Sequence, residues 1–448
     1  MKSSLSKSDI SAARAKLKKA NLQFVKNFPG ERSDRQPTHT VYGGAQIFSA
    51  QVSQKMSEAA LKHLAAFAGD GKSLATALKI SNPDLKIWNA VYSRVVDKLK
   101  REAVEDFRID FEDGYGNRPD AEEDSDAAKS ALEVARGMVA ETLPPFIGIR
   151  VKPFNEERVV RSMRTIDIFL TTLLKASNGK LPKNFVVTLP KVQIAEQAAS
   201  FERILSLIEK KNKIKNATIQ CELMLETPQS VIGFDGVSPL RSFVAATKGR
   251  CRGVHFGTYD YTAGCNITAT YQAMDNPVCD FAKHVMQVTL AGTPVMLSDG
   301  ATNVMPVPPH RGENLSASQI SENRESVYRV WRLSYGHIRH SLETGYYQGW
   351  DLHPAQLPIR YAAVYAFFLE SYEQAANRLR SFIEKAAKAT LLGDVFDDAA
   401  TGQGLLNYFL RGMSSGAISE AEALSTGLTL KDFQSRSFLK ILENHKLV

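Results

Sequence analysis

The chain has 448 residues, of which 44% are hydrophobic and 23% charged, the balance of an ordinary globular protein long enough to bury a domain-sized core and carry additions. No uninterrupted apolar run is long enough to span a bilayer and no signal-peptide core follows Met1, so a cytoplasmic protein without a membrane partner is expected. The formal charge of +8 is concentrated in residues 1–37, where nine Lys and Arg face only Asp9, Glu31 and Asp34; the near-neutral remainder gives no argument for nucleic-acid binding.

Residues 8–27 have helical periodicity, with Ile10, Ala13, Leu17, Ala20 and Phe24 near one face. A basic arm that caps a subunit is expected over residues 1–37, with a mitochondrial presequence as the alternative. Residues 38–42 (THTVY) alternate and read as a first strand, followed by a permissive turn at Gly43-Gly44. Residues 48–105 read as helices with a break at SNPD. Residues 107–111 (FRIDF) form a second strand running into Glu112-Asp113-Gly114. The acids from Asp120 to Asp126 read as a solvated approach to a helix.

A third strand over 146–151 carries Arg150 near its end, and a fourth over 185–189 ends in Pro190-Lys191. The fifth and sixth, 219–225 and 253–256, are apolar runs of the kind covered on both faces. Glu226 and Asp260 lie just past them. A seventh over 294–297 precedes Asp299, and an eighth over 347–352 precedes His353. Residues 300–345 are too long for a single helical crossover and require an added loop. From residue 361 the pattern is almost purely helical, with a break near Gly393.

Eight strands alternating with helices predict a TIM (β/α)8 barrel over 38–360, between the arm and a helical extension over 361–448. The barrel rule brings Glu112, Asp113, Arg150, Lys191, Glu226, Asp260, Asp299 and His353 to one mouth. Two carboxylates on adjacent strands suit a hard divalent cation such as Mg2+, which leaves positions open for substrate oxygens. Taken singly, such acids also read as helix caps or solvated loop residues. His337 and His340 have metal-like spacing but read as a surface helix pair. The four cysteines show no C-x-x-C spacing and read as free thiols.

Six segments, in order, resemble the HpcH/HpaI aldolase and citrate lyase family, within its citrate lyase beta-subunit-like group. They are RIDFEDG, GIRVKPF, LPKV, LMLETPQS, FGTYDYTAG and GWDLHPAQL, within residues 38–357. The resemblance implies a carbon–carbon lyase acting through an enolate, with Mg2+ (or Mn2+) on Glu226 and Asp260. It implies Arg150 on the substrate carboxylate or enolate oxygen, with pairing to the Asp110–Asp113 turn as the alternative. Asp113 would assist proton transfer while Glu112 orients metal-bound water, or both would only anchor their turn. Lys191, Asp299 and His353 would shape the substrate site. The implied partners are a small-molecule carboxylate or acyl-CoA substrate and further copies of the chain. Three departures stand out: Gly43-Gly44 where the family has a Pro nearby, Lys152 where it has Asn, and a tail unlike its lid. The last two weaken acyl-CoA recognition and leave a free keto acid as substrate. GTYDYTAG also has some likeness to malate synthases, so a condensing or thioester-hydrolysing enzyme is a second reading, and a non-catalytic ligand-binding barrel a third.

Overall fold

The computed structural model describes residues 4–384, 390–392, 395–397 and 399–444. Its main sheet has eight parallel strands: β1 (His39–Gly44), β2 (Asp106–Asp110), β3 (Phe146–Arg150), β4 (Phe185–Leu189), β5 (Gln220–Leu225), β6 (Cys251–Phe256), β7 (Met296–Ser298) and β8 (Gly349–Asp351). Their order is β7-β6-β5-β4-β3-β2-β1-β8. The seam between β7 and β8 is drawn together by Asp299 N to Gln348 O (2.8 Å) and Trp350 N to Gly300 O (2.9 Å). The fold is the expected (β/α)8 barrel. Gly43 and Gly44, read from sequence as a turn, instead end β1, opposite Ile109 and Asp110 of β2. Their conformational freedom is overridden where a neighbouring strand takes up the backbone polar groups.

The helices follow from capping and apolar spacing. Asp84 accepts a hydrogen bond from Lys86 N (2.8 Å) and starts helix Leu85–Glu102. Trp88, Val91, Val95 and Leu99 then recur three or four residues apart and are buried, each contributing about 1.5–3 kcal/mol. Lys98 is buried as well, and its ammonium is matched by Glu102 (2.5 Å) and Glu105 (2.6 Å).

Strand alternation sets what fills the barrel. In β2, Phe107 and Ile109 pack in the apolar core, while Asp106, Arg108 and Asp110 share the opposite face. Barrel interiors are usually filled by branched apolar residues; here the filling is ionic. The Arg108 guanidinium pairs with Asp106 (2.6 Å) and Glu222 (2.7 Å) and donates to Thr188 Oγ1 (3.0 Å). Thr40 donates to Asp106 (2.8 Å). His255 Nε2 lies 3.4 Å from Glu222, and its Nδ1 accepts from Trp350 Nε1 (3.2 Å). Gly148 of β3 permits this tight closure, because a Cβ there would stand 2.2 Å from Val186 O. Gly148→Val is expected to lower unfolding free energy by about 3 kcal/mol, read from urea denaturation; an unchanged midpoint would show that the barrel can relax around it.

Residue 361, the expected start of the extension, lies inside helix Leu357–Glu384, which packs on helices Leu85–Glu102 and Ala317–Glu343. The tail is not purely helical: Thr390–Leu392 pairs antiparallel with Val395–Asp397. The break expected near Gly393 lies outside the described residues. Leu406, Phe409 and Phe433 of the tail join the apolar core continuous with the barrel helices. Arg94 reaches Ala417 O and Glu422. Arg411 donates to Gln36 Oε1 (2.8 Å) and pairs with Glu31 (2.8 Å), and Ser414 donates to Gln36 O (3.4 Å). Helix Lys7–Asn27 is capped by Ser6 and Asp9 but buries none of its own residues. Among the described residues, no helix is long and apolar enough to cross a membrane. The four cysteines are free.

Candidate active site at the carboxyl end of the barrel

The site is built by side chains at and just beyond the ends of β2 to β6. Asp110, the last residue of β2, accepts from Arg150 Nε (2.7 Å) and Nη2 (2.6 Å), and also from Glu112 N (3.1 Å) and Gly114 N (2.8 Å). One carboxylate thus fixes both the guanidinium and the turn that carries Glu112 and Asp113. Arg150 lies over the Tyr42 ring at 4.8 Å, and its Nη1, which Asp110 does not engage, sits 3.0 Å from Glu112. Pairing with the acidic turn, one of the two expectations for Arg150, is present in the structure.

Lys191 stands at the centre. Its backbone is left-handed (φ 51), which costs a non-glycine residue about 1–2 kcal/mol. In that conformation its amide donates to Glu226 Oε1 (2.7 Å). Its ammonium contacts Glu112, Asp113 (3.2 Å) and Asp260 (3.2 Å). Acids beyond two strand ends, β2 and β6, therefore meet at its ammonium, and the acid beyond β5 meets its amide. Glu226 is buried, and a Cβ on Gly257 would lie 2.3 Å from its Oε2; only a glycine at the end of β6 leaves this carboxyl its place.

The electrostatics reflect an excess of acids. Asp110, Glu112, Asp113, Glu226 and Asp260 surround only Arg150 and Lys191. Burial pushes the Glu226 carboxyl up to about 8, with Lys191 opposing and Asp260 adding to the rise. Burial likewise pushes Glu112 up to about 7, against the pull of Arg150 and Lys191. For Asp113, burial is outweighed by a hydrogen bond with Glu112 and by the charge of Lys191, so its carboxyl falls below the usual range. One carboxyl raised beside one lowered marks a pair that shares a proton. Burial draws Lys191 down, but the carboxylates, Glu226 foremost, prevail and keep it charged.

The mouth has two lobes, and both touch Glu226 and Asp260. One, of about 660 Å³, includes Tyr42, Phe48, Phe107, Arg150, Trp350 and His353 in its wall. The other, of about 330 Å³, is bordered by Asn155, Lys191, Gln193, Thr227 and Gln229. His353 Nδ1 accepts from Ala355 N (3.1 Å), and burial lowers the ring's pKa, so it meets the cavity as a neutral imidazole.

Two sequence expectations need correction. Asp299 does not reach the mouth. It is fully buried and accepts from Lys283 Nζ (3.0 Å), Ser341 Oγ (2.6 Å) and Gly300 N (2.7 Å), tying β7 to two outer helices. Ser298 and Asp299 face opposite ways along the chain, and the acid falls on the outer face. His337 is not on the surface; it is buried, with Nδ1 2.9 Å from Thr302 Oγ1, while His340 pairs with Asp280. Lys152 is likewise structural, bound to Glu123 (2.8 Å) and Phe111 O (2.6 Å). Sequence reasoning missed Tyr42 and Trp350, and gave Asp110 only as one member of the turn offered as the alternative partner of Arg150. The alternation of DFRID carries the signal for Asp110, since it shares a face with Arg108.

The donor set fits Mg2+. Its oxygens are hard, its charge excess is negative, and Mg2+ needs only one or two protein carboxylates. Among the described residues no three His, Cys, Asp or Glu are gathered closely enough to cage a metal, so the fit is to an ion completed by water and substrate oxygens.

The sequence matches the family described as "Domain of unknown function (DUF6986)" over residues 17–441. No curated protein matches it. Among solved structures, the chain is similar to a citrate lyase from Burkholderia xenovorans LB400, at 16% identity and TM-score 0.55, covering 89% of this chain and 100% of that one. It is also similar to Haloferax volcanii malate synthase in a magnesium/glyoxylate complex, at 12% identity and TM-score 0.47, covering 91% and 98%.

Proposed function

We propose that this chain, which belongs to the DUF6986 family of domains of unknown function, is a Mg2+-dependent carbon–carbon lyase acting on a hydroxylated 2-oxo acid. The observation that supports this best is the gathering of Glu112, Asp113 and Asp260 on Lys191, with Glu226 on its backbone and Arg150 beside it. Glu226 and Asp260 would hold the ion. Bound Mg2+ supplies Lewis-acid stabilisation of the oxygen on which charge develops.

The chain's own groups account for the remaining steps. Arg150 Nη1 is free of Asp110 and orients the substrate carboxylate. The Glu112–Asp113 pair, which shares a proton and reaches the larger lobe through Asp113, takes the proton of the substrate's hydroxyl. The bond from the hydroxyl-bearing carbon to the carbon beside the ketone breaks, and the hydroxyl oxygen becomes an aldehyde or ketone carbonyl. The electron pair passes to an enolate facing Arg150. Protonation of the enolate carbon from the same pair restores its charge and completes a 2-oxo acid. No oxidant or further reactant is consumed.

The test is release of a 2-oxo acid from a 4-hydroxy-2-oxo acid panel with added Mg2+. Arg150→Lys keeps the charge but loses the fork, and is expected to lower kcat/KM about 100-fold. Absence of cleavage across the panel by folded, Mg2+-supplied protein would end this reading.

A further inference from the structure

The wall of the larger lobe carries more information than a three-carbon acid would use. Its volume, about 660 Å³, falls in the range of sites for drug-sized ligands, about 300–1,000 Å³. Apart from its carboxylates, Arg150, Asn303 and His353, its wall is largely aromatic and aliphatic. Tyr42 and Trp350 pack at 4.7 Å between ring centroids, and Phe48 and Phe107 at 5.6 Å. Met56 continues this side, and Ile47 stands on the rim 75% exposed. The same lobe is also lined by Asp113, Arg150, Glu226 and Asp260, with Arg150 stacked on Tyr42 at 4.8 Å. The smaller lobe beyond Glu226 and Asp260 is instead bordered by amides, a hydroxyl and Lys191.

We infer that the carbonyl half of the substrate bears an apolar group of phenyl or branched-chain size, seated on Phe48, Phe107, Met56 and Trp350. This rests on the lyase reading for which half of the cleaved bond lies where. Phe48, Phe107 and Met56 give a second carboxylate seated among them no partner, and burying one unpaired is costly.

The test separates seat from chemistry with two 2-oxo acids that lack the 4-hydroxyl and are not cleaved. Binding of 2-oxo-4-phenylbutanoate and of 2-oxoglutarate is titrated calorimetrically with Mg2+ present, with Trp350 fluorescence as a second readout. The phenyl compound is expected to bind at least about tenfold tighter, within the range one apolar group supplies in such pockets. Ile47→Glu, on an exposed rim residue, is expected to remove most of that preference and leave 2-oxoglutarate unchanged. Equal or tighter binding of 2-oxoglutarate, or binding of neither, overturns the inference. Tight phenyl binding without cleavage of any hydroxylated counterpart sinks the lyase reading alone and leaves the seat standing.

Discussion

Glu226→Ala and Asp260→Ala are each expected to abolish Mg2+ binding in calorimetric titrations and to lower turnover by at least about 100-fold. The two should fail in different ways. Glu226 is buried and holds the Lys191 amide at 2.7 Å. Its loss would therefore remove a proposed ion ligand and also the support of a left-handed backbone. Asp260 is 41% exposed along its side chain and touches only the ammonium, at 3.2 Å. Its loss should leave Lys191 with Glu112 and Asp113 and leave stability unchanged. A Glu226→Gln variant retains an oxygen for the amide and separates support from charge: folding is kept while the ion is lost. Unaltered Mg2+ affinity in both alanine variants would remove the basis for the proposed chemistry.

Arg108→Ala is expected to cost about 3–5 kcal/mol of stability, because it leaves buried acids without their counter-charge. Asp106 and Glu222 sit at 2.6 and 2.7 Å from this guanidinium inside the barrel. Burial drives the Asp106 carboxyl up, whereas Arg108 and His255 overcome burial at Glu222 and hold it far below its ordinary range. Without Arg108 both acids must take up protons or admit water. The triple variant Asp106→Asn, Arg108→Met, Glu222→Gln removes the charges together. It should therefore lose less than Arg108→Ala alone, since groups in one network are not additive. Urea denaturation followed by circular dichroism reads both. A loss below about 1 kcal/mol for Arg108→Ala would mean that solvent already reaches these carboxylates.

The barrel was legible because parallel strands covered on both faces leave short apolar runs between helical stretches. Strand ends were less so, since pairing partners rather than local propensity decide them: Gly43 and Gly44 read as a turn yet lie in register with Ile109 and Asp110. At the mouth, Glu112, Asp113, Lys191, Glu226 and Asp260 were all singled out from sequence, and the structure brings them together. Asp299 was placed wrongly because one step along the chain reverses which way a side chain faces. Lys191 was expected to shape the site, but its left-handed backbone and its place amid the acids depend on long-range contacts that no local pattern encodes. The apolar lobe was invisible for the same reason, drawing Tyr42 from β1, Phe107 from β2 and Trp350 from β8.

Gln36, immediately ahead of the first strand, is fastened by Arg411 and Ser414. Its side-chain nitrogen also donates to Leu297 O (2.9 Å) and Gln348 Oε1 (3.1 Å), and Arg35 beside it pairs with Glu102 and Glu105. During synthesis those barrel contacts can form first, and the two bonds from the tail are added only when translation nears its close, a last clasp over an already seated segment.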